Sequence, residues 1–170
     1  EGNSYVRKHG LKLCYLVMHD VNHQLFSDSV WDECELSAPS ESAAMIEALL
    51  KRFDLLGLKD SHPIALSGGQ KQRLAVATAI LSRKKILIFD EPTKGVDVGA
   101  KQEIFHLINQ IAKDGNCVIY ATCENSELLS ITDRMYVMYD GRIMAELETA
   151  KTTEDEIMHY ATGSEEKYAG

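Results

Sequence analysis

Four consecutive apolar residues, Ile86-Leu87-Ile88-Phe89, end abruptly in two carboxylates, Asp90-Glu91, which are followed by Pro92-Thr93. An unbroken apolar run of strand length reads as a strand covered on both faces of a parallel sheet, because a half-solvated strand would alternate apolar with polar residues. One helix earlier stands Leu66-Ser67-Gly68-Gly69-Gln70. Ser67 has the side chain of a helix N-cap, and the positions after it recur with helical spacing. The two glycines then lie at the positive end of that helix, with bare backbone N–H groups. A glycine-rich helix start and a pair of acids at a strand exit together describe a chain that handles nucleotide phosphates.

The remaining pattern alternates strands and helices. Residues 11–18 form a mostly apolar run of strand length, bounded by Gly10 and by His19-Asp20, and a polar loop follows through Asn22 and Asp28. From Ser40 the spacing turns helical, with Ile46, Leu49, Leu50 and Phe53 on one face and Gly57 and Pro63 closing the segment. After Ser67 an amphipathic helix buries Leu74, Ala77 and Leu81 and leaves Lys71 and Arg73 in solvent. A second strong helix runs from Asp97 to about Lys113, with Ile104, Leu107, Ile108 and Ile111 inward and Gly115 as its stop. Residues 117–122 and 134–139 read as strands, residues 124–131 as a short helix, and Asp140-Gly141 as a hairpin turn leading to Ile143 and Met144. The last twenty residues, with Glu154, Asp155, Glu156, Glu165 and Glu166, read as one short helix and a solvated tail. Strands alternating with helices predict an α/β fold, a mostly parallel sheet flanked by helices, with a small helical lobe.

Composition excludes several function classes. With 170 residues and 45% hydrophobic content the chain can bury one sizeable core. A net charge of -8 without a basic cluster argues against a nucleic-acid partner, since phosphate backbones are held mainly by clustered Lys and Arg. Cys14, Cys34, Cys117 and Cys123 form no CxxC pair, which predicts reduced thiols in the cytosol and no zinc site. No stretch reaches the roughly 20 apolar residues of a membrane span, and the N-terminus has no signal pattern.

The chemistry of the two segments follows from their residue types. Gly68 and Gly69 let backbone N–H groups approach a phosphate closely, Ser67 adds a hydroxyl donor, and the helix start adds partial positive charge. Asp90 suits Mg²⁺, directly or through water. Glu91 is placed to orient or deprotonate a water that attacks a γ-phosphate.

In order and spacing, residues 66–70 and 86–93 resemble the signature motif and the Walker B segment of ABC-type ATPase domains, the motors of ABC transporters, and the resemblance runs over most of the chain. It implies a P-loop NTPase type of sheet, ATP and Mg²⁺ as cofactors, and a nucleotide held between two ATPase domains. By that resemblance Ser67, Gly68, Gly69, Gln70 and Asp97 bind nucleotide, Asp90 and His19 serve the metal, and Glu91 is catalytic. Residues 94–101 are similar to the D-loop region of the second ATPase domain of bacterial carbohydrate importers. Residues 18–30, with Asn22-His23-Gln24-Leu25-Phe26, are instead closer to the Q-loop of energy-coupling-factor vitamin and metal-ion importers, so the substrate stays open.

Two positions and one missing segment depart from the family pattern. His19 stands where the family carries the Q-loop glutamine, and a plain surface histidine is the alternative. His19 and His23 offer no third ligand for a metal of their own. Cys123 stands at the switch-histidine position and reads as a small buried apolar residue; Trp31 reads as a core or interface anchor. No glycine is followed by lysine, so a Gly-Lys-[Ser/Thr] phosphate loop is absent from these residues, and the expectation is a truncated ATPase core. The predicted organisation is residues 1–19 and 83–150 as a partial ATPase core, 20–82 as a helical lobe carrying the signature, and 151–170 as a terminal helix and tail. The expected function is an ATP-hydrolysing subunit that powers a membrane importer from the cytoplasmic face of the cell membrane. Its partners would be a second ATPase domain, homo- or heterodimeric, and a transmembrane permease. Such a chain alone would be inactive or only partly active. The alternatives are a non-catalytic adaptor that supplies only the signature to a partner, and a DNA-repair or ribosome-associated ATPase, which the acidic charge disfavours.

Overall fold

A computed structural model describes residues 13–38, 42–164 and 168. Gly10 and the first two residues of the expected N-terminal strand, Ser40, and the acidic pair Glu165 and Glu166 lie outside the described residues. Two compact units divide the chain at the Ala121–Thr122 bond.

The first unit is a three-stranded parallel sheet in the order β1 (Cys14–Val17), β2 (Ile86–Asp90), β3 (Cys117–Ala121). Its register places Val17, Phe89 and Tyr120 side by side. One face of this sheet meets the helices: Val17, Leu87 and Phe89 are buried in the same core as Leu74, Ile104 and Ile108. The opposite face is less covered than the apolar run of β2 predicts. Ile86 and Ile88 are half-buried, and their neighbours Leu16 and Ile119 are 47% and 49% exposed. Both major helices of the unit pack into the core on a single face, beside Val17, Leu87 and Phe89.

Helix α1 (Val30–Ser37) was hidden inside what reads as loop. It holds few apolar residues, but the hydroxyl of Ser29 accepts a bond from Asp32 N at 3.0 Å and caps it. The buried carboxylate of Glu33 turns back to accept Phe26 N and Ser27 N at 3.0 and 2.9 Å. Val30 and Cys34 are fully buried, and Trp31 packs half-buried against the same core. Helix α2 (Ala43–Arg52) carries the expected face, with Ile46, Leu50 and Phe53 inward and Ser42 as cap. It stops at Phe53 and Asp54, whose φ is 54°, before Gly57 is reached.

Helix α3 (Gly68–Leu81) starts where expected but is not amphipathic. Leu74, Ala75, Val76, Ala77, Thr78 and Ala79 are all buried, and a helix apolar all round is a buried helix. Its run of alanines lets neighbours close in on every side. Arg73 is correspondingly not in solvent; its side chain is 14% exposed and pairs with Glu103 at 2.5 Å. Lys71, half-buried, donates to Asn22 Oδ1 at 2.8 Å. Helix α4 (Val98–Lys113) buries Ile104, Leu107, Ile108 and Ile111 as its spacing predicts.

The second unit joins helix α5 (Asn125–Ile131) to a hairpin of β4 (Arg134–Tyr139) and β5 (Arg142–Glu148), then to α6 (Glu154–Ala161). Asp140 and Gly141 both take positive φ, 43° and 74°, as a two-residue hairpin turn of this twist requires. Met135, Val137, Ile157 and Tyr160 form its own small core. Cys123 in this unit is exposed, not buried as its small apolar side chain suggests. No helix among the described residues is long and apolar enough to cross a membrane.

Candidate functional site

The start of α3 is a reciprocal cap. Gln70 N donates to Ser67 Oγ at 3.3 Å while Ser67 N donates to Gln70 Oε1 at 2.9 Å. Each side chain thus satisfies the other's backbone, and the turn is held open-ended. The Ser67 hydroxyl hydrogen is not consumed by accepting that bond, so it can still point outward. The two glycines differ. A Cβ on Gly68 would meet nothing within 4 Å, whereas one on Gly69 would lie 2.9 Å from Ala100 Cβ. Gly68 therefore presents open backbone, and Gly69 exists to let α3 approach the start of α4.

At the exit of β2 the backbone turns sharply. Asp90 is exposed, and Glu91 takes a left-handed φ of 44° with its N–H bonded to Ala121 O at 2.8 Å. A non-glycine residue in that region is held there by its surroundings. The carboxylate of Glu91 lies 2.5 Å from Lys94 Nζ and 3.7 Å from His19 Nδ1. Lys94 N bonds back to Glu91 O at 3.1 Å across Pro92 and Thr93, and Thr93 is buried with its hydroxyl 3.1 Å from Tyr120 OH. Asp97 caps α4 by accepting Ala100 N at 3.0 Å.

His19 reaches this place through its loop. Gln24 ties the end of β1 down, accepting Met18 N at 3.1 Å and donating to Leu16 O at 3.0 Å. Asn22 donates to Asp20 from its backbone and from its side chain, and these bonds hold the Asp20 carboxyl below the usual carboxylate range. A cleft of about 280 Å³ results, lined by His19, Asp20, Gly68, Lys71, Gln72 and Lys94 among others. The structure thus brings Gly68, His19 and the neighbour of Glu91 together. It leaves Ser67, Gly69, Gln70, Asp90, Glu91 and Asp97 outside that cleft lining.

Lys71, Lys94, Gln72 and Gln24 were not singled out from the sequence as site residues. For Lys94 a signal existed: it follows Glu91 by three across a proline turn, the spacing that brings two turn ends together.

The donor set suits a phosphate ligand with Mg²⁺. Open backbone at Gly68 and the two lysines on the cleft favour an anion, and among the described residues the buried Oε1 of Gln72 has no hydrogen-bond partner. Among the described residues no group of three or more His, Cys, Asp or Glu could hold a metal. Mg²⁺ needs none, since it is commonly held by one or two carboxylates with substrate phosphates, and Asp90 fits that role. The imidazole nitrogen of His19 fits a hard cation poorly.

Comparison with known proteins gives the family of the chain. Residues 6–94 match the family described as ABC transporter. A Treponema denticola protein assigned as an ABC transporter ATP-binding protein is 43% identical over 157 residues, 92% of this chain and 32% of that protein. The ribose import ATP-binding protein RbsA of Halalkalibacterium halodurans is 38% identical, covering 85% of this chain and 28% of that protein. Among solved structures, cbiO1 of Clostridium perfringens, described as part of the ABC transporter complex cbiONQ, superposes with a TM-score of 0.73 at 28% identity, covering 89% of this chain and 61% of that one. The chain spans about a third or less of the length of the curated relatives it matches.

Proposed function

The chain belongs to the ABC transporter family, and on that premise we propose that it is the signature- and Walker B-bearing part of an ATP-hydrolysing subunit that energises a membrane importer. The observation that carries this reading is the cleft in which Gly68, at the start of the buried helix α3, meets Lys94, the partner of Glu91. In this reading Glu91 orients and deprotonates the attacking water, its backbone locked at the strand exit. Asp90 would hold Mg²⁺, which when bound neutralises charge on the phosphates. His19, 3.7 Å from Glu91, steadies that carboxylate rather than the ion. Ser67, Gly68 and Gln70 offer the helix start to a nucleotide on a second ATPase domain, and Asp97 holds the start of α4 against it.

A permease is the proposed membrane partner. Phe26 and Leu36 are 70% and 58% exposed and share a groove with Asp28, Asp32 and Glu35. That combination suits a short helix with apolar and basic faces, and it would seat the chain on the cytoplasmic face of the membrane. The ribose import relative supports a carbohydrate as cargo.

The test is Mg-ATP turnover by the chain, alone and mixed with an ATPase domain that carries a phosphate loop. Turnover that depends on Mg²⁺, is lost in Glu91→Gln and survives in Glu35→Gln is expected; turnover indifferent to Glu91→Gln overturns the assignment. One observation favours a second reading. None of the eleven glycines is followed by lysine, so these residues could serve as an adaptor that completes only the partner's site. In that case Gly68→Glu would abolish turnover in the mixture while Glu91→Gln would not.

A further inference from the structure

Two facts about Lys94 are independent of one another. Its ammonium lies 2.5 Å from the carboxylate of Glu91, and the residue also lines the cleft with Gly68 and Lys71. The two partners differ in freedom. Glu91 is 19% exposed on a backbone pinned to Ala121 O, whereas Lys94 is 55% exposed on a flexible four-carbon stem. Of this pair, the ammonium is therefore the part able to move.

We propose that Lys94 is a phosphate-sensing latch on Glu91: its ammonium holds the carboxylate in the free chain and leaves it for an anionic phosphate that enters the cleft. The proposal rests on the reading of Glu91 as the base, and adds to it a reason why that base stays masked until ligand arrives. The physical basis is competition for one cation. A polyphosphate carries more charge and more acceptor oxygens than a carboxylate, so it is the stronger partner for an ammonium. Lys71 on the same cleft donates to the neutral side-chain oxygen of Asn22, and it adds to the attraction. His19 and Asp20 are the other titratable groups lining the cleft. His19, 3.7 Å from Glu91, remains to hold the carboxylate in place once Lys94 has gone. The short turn through Pro92 and the buried Thr93 keeps both backbones fixed while the side chain swings.

A double-mutant cycle on the chain, read by calorimetric binding of inorganic tripolyphosphate, separates a latch from plain charge repulsion. If Lys94 must leave Glu91 to bind the anion, Glu91→Gln strengthens binding by about fivefold, the worth of a half-exposed ion pair, and Lys94→Gln weakens it. In the Lys94→Gln background the gain from Glu91→Gln shrinks to less than about twofold, because no latch remains to release. Lys94→Arg keeps the cation and should restore the gain, which also guards against misfolding of the glutamine variant. An undiminished gain in the Lys94→Gln background, no gain at all, or no binding of tripolyphosphate each overturns the latch. A failed cycle beside hydrolysis that still requires Glu91 rejects the latch alone; an intact cycle beside hydrolysis indifferent to Glu91 rejects the catalytic reading of Glu91.

Discussion

Gly69 stands against Ala100 so closely that a Cβ on the glycine would come within 2.9 Å of the alanine's Cβ, and 3.7 Å from Val96 Cγ1. The neighbouring Gly68 has open space instead. The two glycines of the signature-like turn therefore answer different demands, one from packing and one from the cleft.

Gly69→Ala is expected to lower stability by about 1–3 kcal/mol, because the added methyl forces apart two helix starts in a packed region. Gly68→Ala should leave the stability measured by urea denaturation within about 0.5 kcal/mol of the parent while weakening phosphate binding. Equal denaturation midpoints for the two variants would refute the division of labour.

Removing the Ser67 hydroxyl should cost about 1 kcal/mol, the usual worth of an N-cap. Because Ser67 and Gln70 satisfy each other's backbone, the losses in Ser67→Ala and Gln70→Ala should not sum in the double variant. Thermal unfolding of the three variants measures this directly.

The buried carboxylate of Glu33 accepts two loop N–H groups. Glu33→Ala leaves both donors without that partner and should cost about 2–3 kcal/mol, whereas Glu35→Ala, on the exposed side of the same helix, should cost less than about 0.5 kcal/mol. Hydrogen exchange at the amides of Phe26 and Ser27 reports the mechanism, since both should lose protection in the Glu33 variant and keep it in the other.

Burial pushes the Cys34 thiol up to about 12 from 9.0, and Glu33 beside it pushes in the same direction. The native thiol then stays protonated where the unfolded one ionises. Stability from this group is complete below pH 9 and falls as pH rises from about 9 toward about 12. Urea midpoints from pH 8 to pH 11 should decline more steeply for the parent chain than for Cys34→Ala. Thiol labelling should separate the sites as well: exposed Cys117 and Cys123 react in the native state, and Cys34 waits for unfolding.

Much of this fold was legible because it is local. The cap at Ser67 answered by Gln70, the positive-φ pair Asp140-Gly141, and the inward face of α4 all depend on residues within a turn or two of one another. Helix α1 is not legible in the sequence because its stability is not in its own apolar spacing. It comes from Ser29, from the contact of Glu33 with the preceding loop, and from the core that receives Val30 and Cys34.

By itself the sequence determined the alternation of strands and helices, the caps, and the strand that ends in Asp90-Glu91. Only the tertiary structure decided that α3 is buried almost all round, that Gly69 serves packing, that one sheet face stays partly open, and that His19 and Lys94 converge on Glu91. The reason is the range of the forces involved. Periodicity and capping act between near neighbours along the chain, whereas burial and the meeting of charges depend on which distant segments the core brings together.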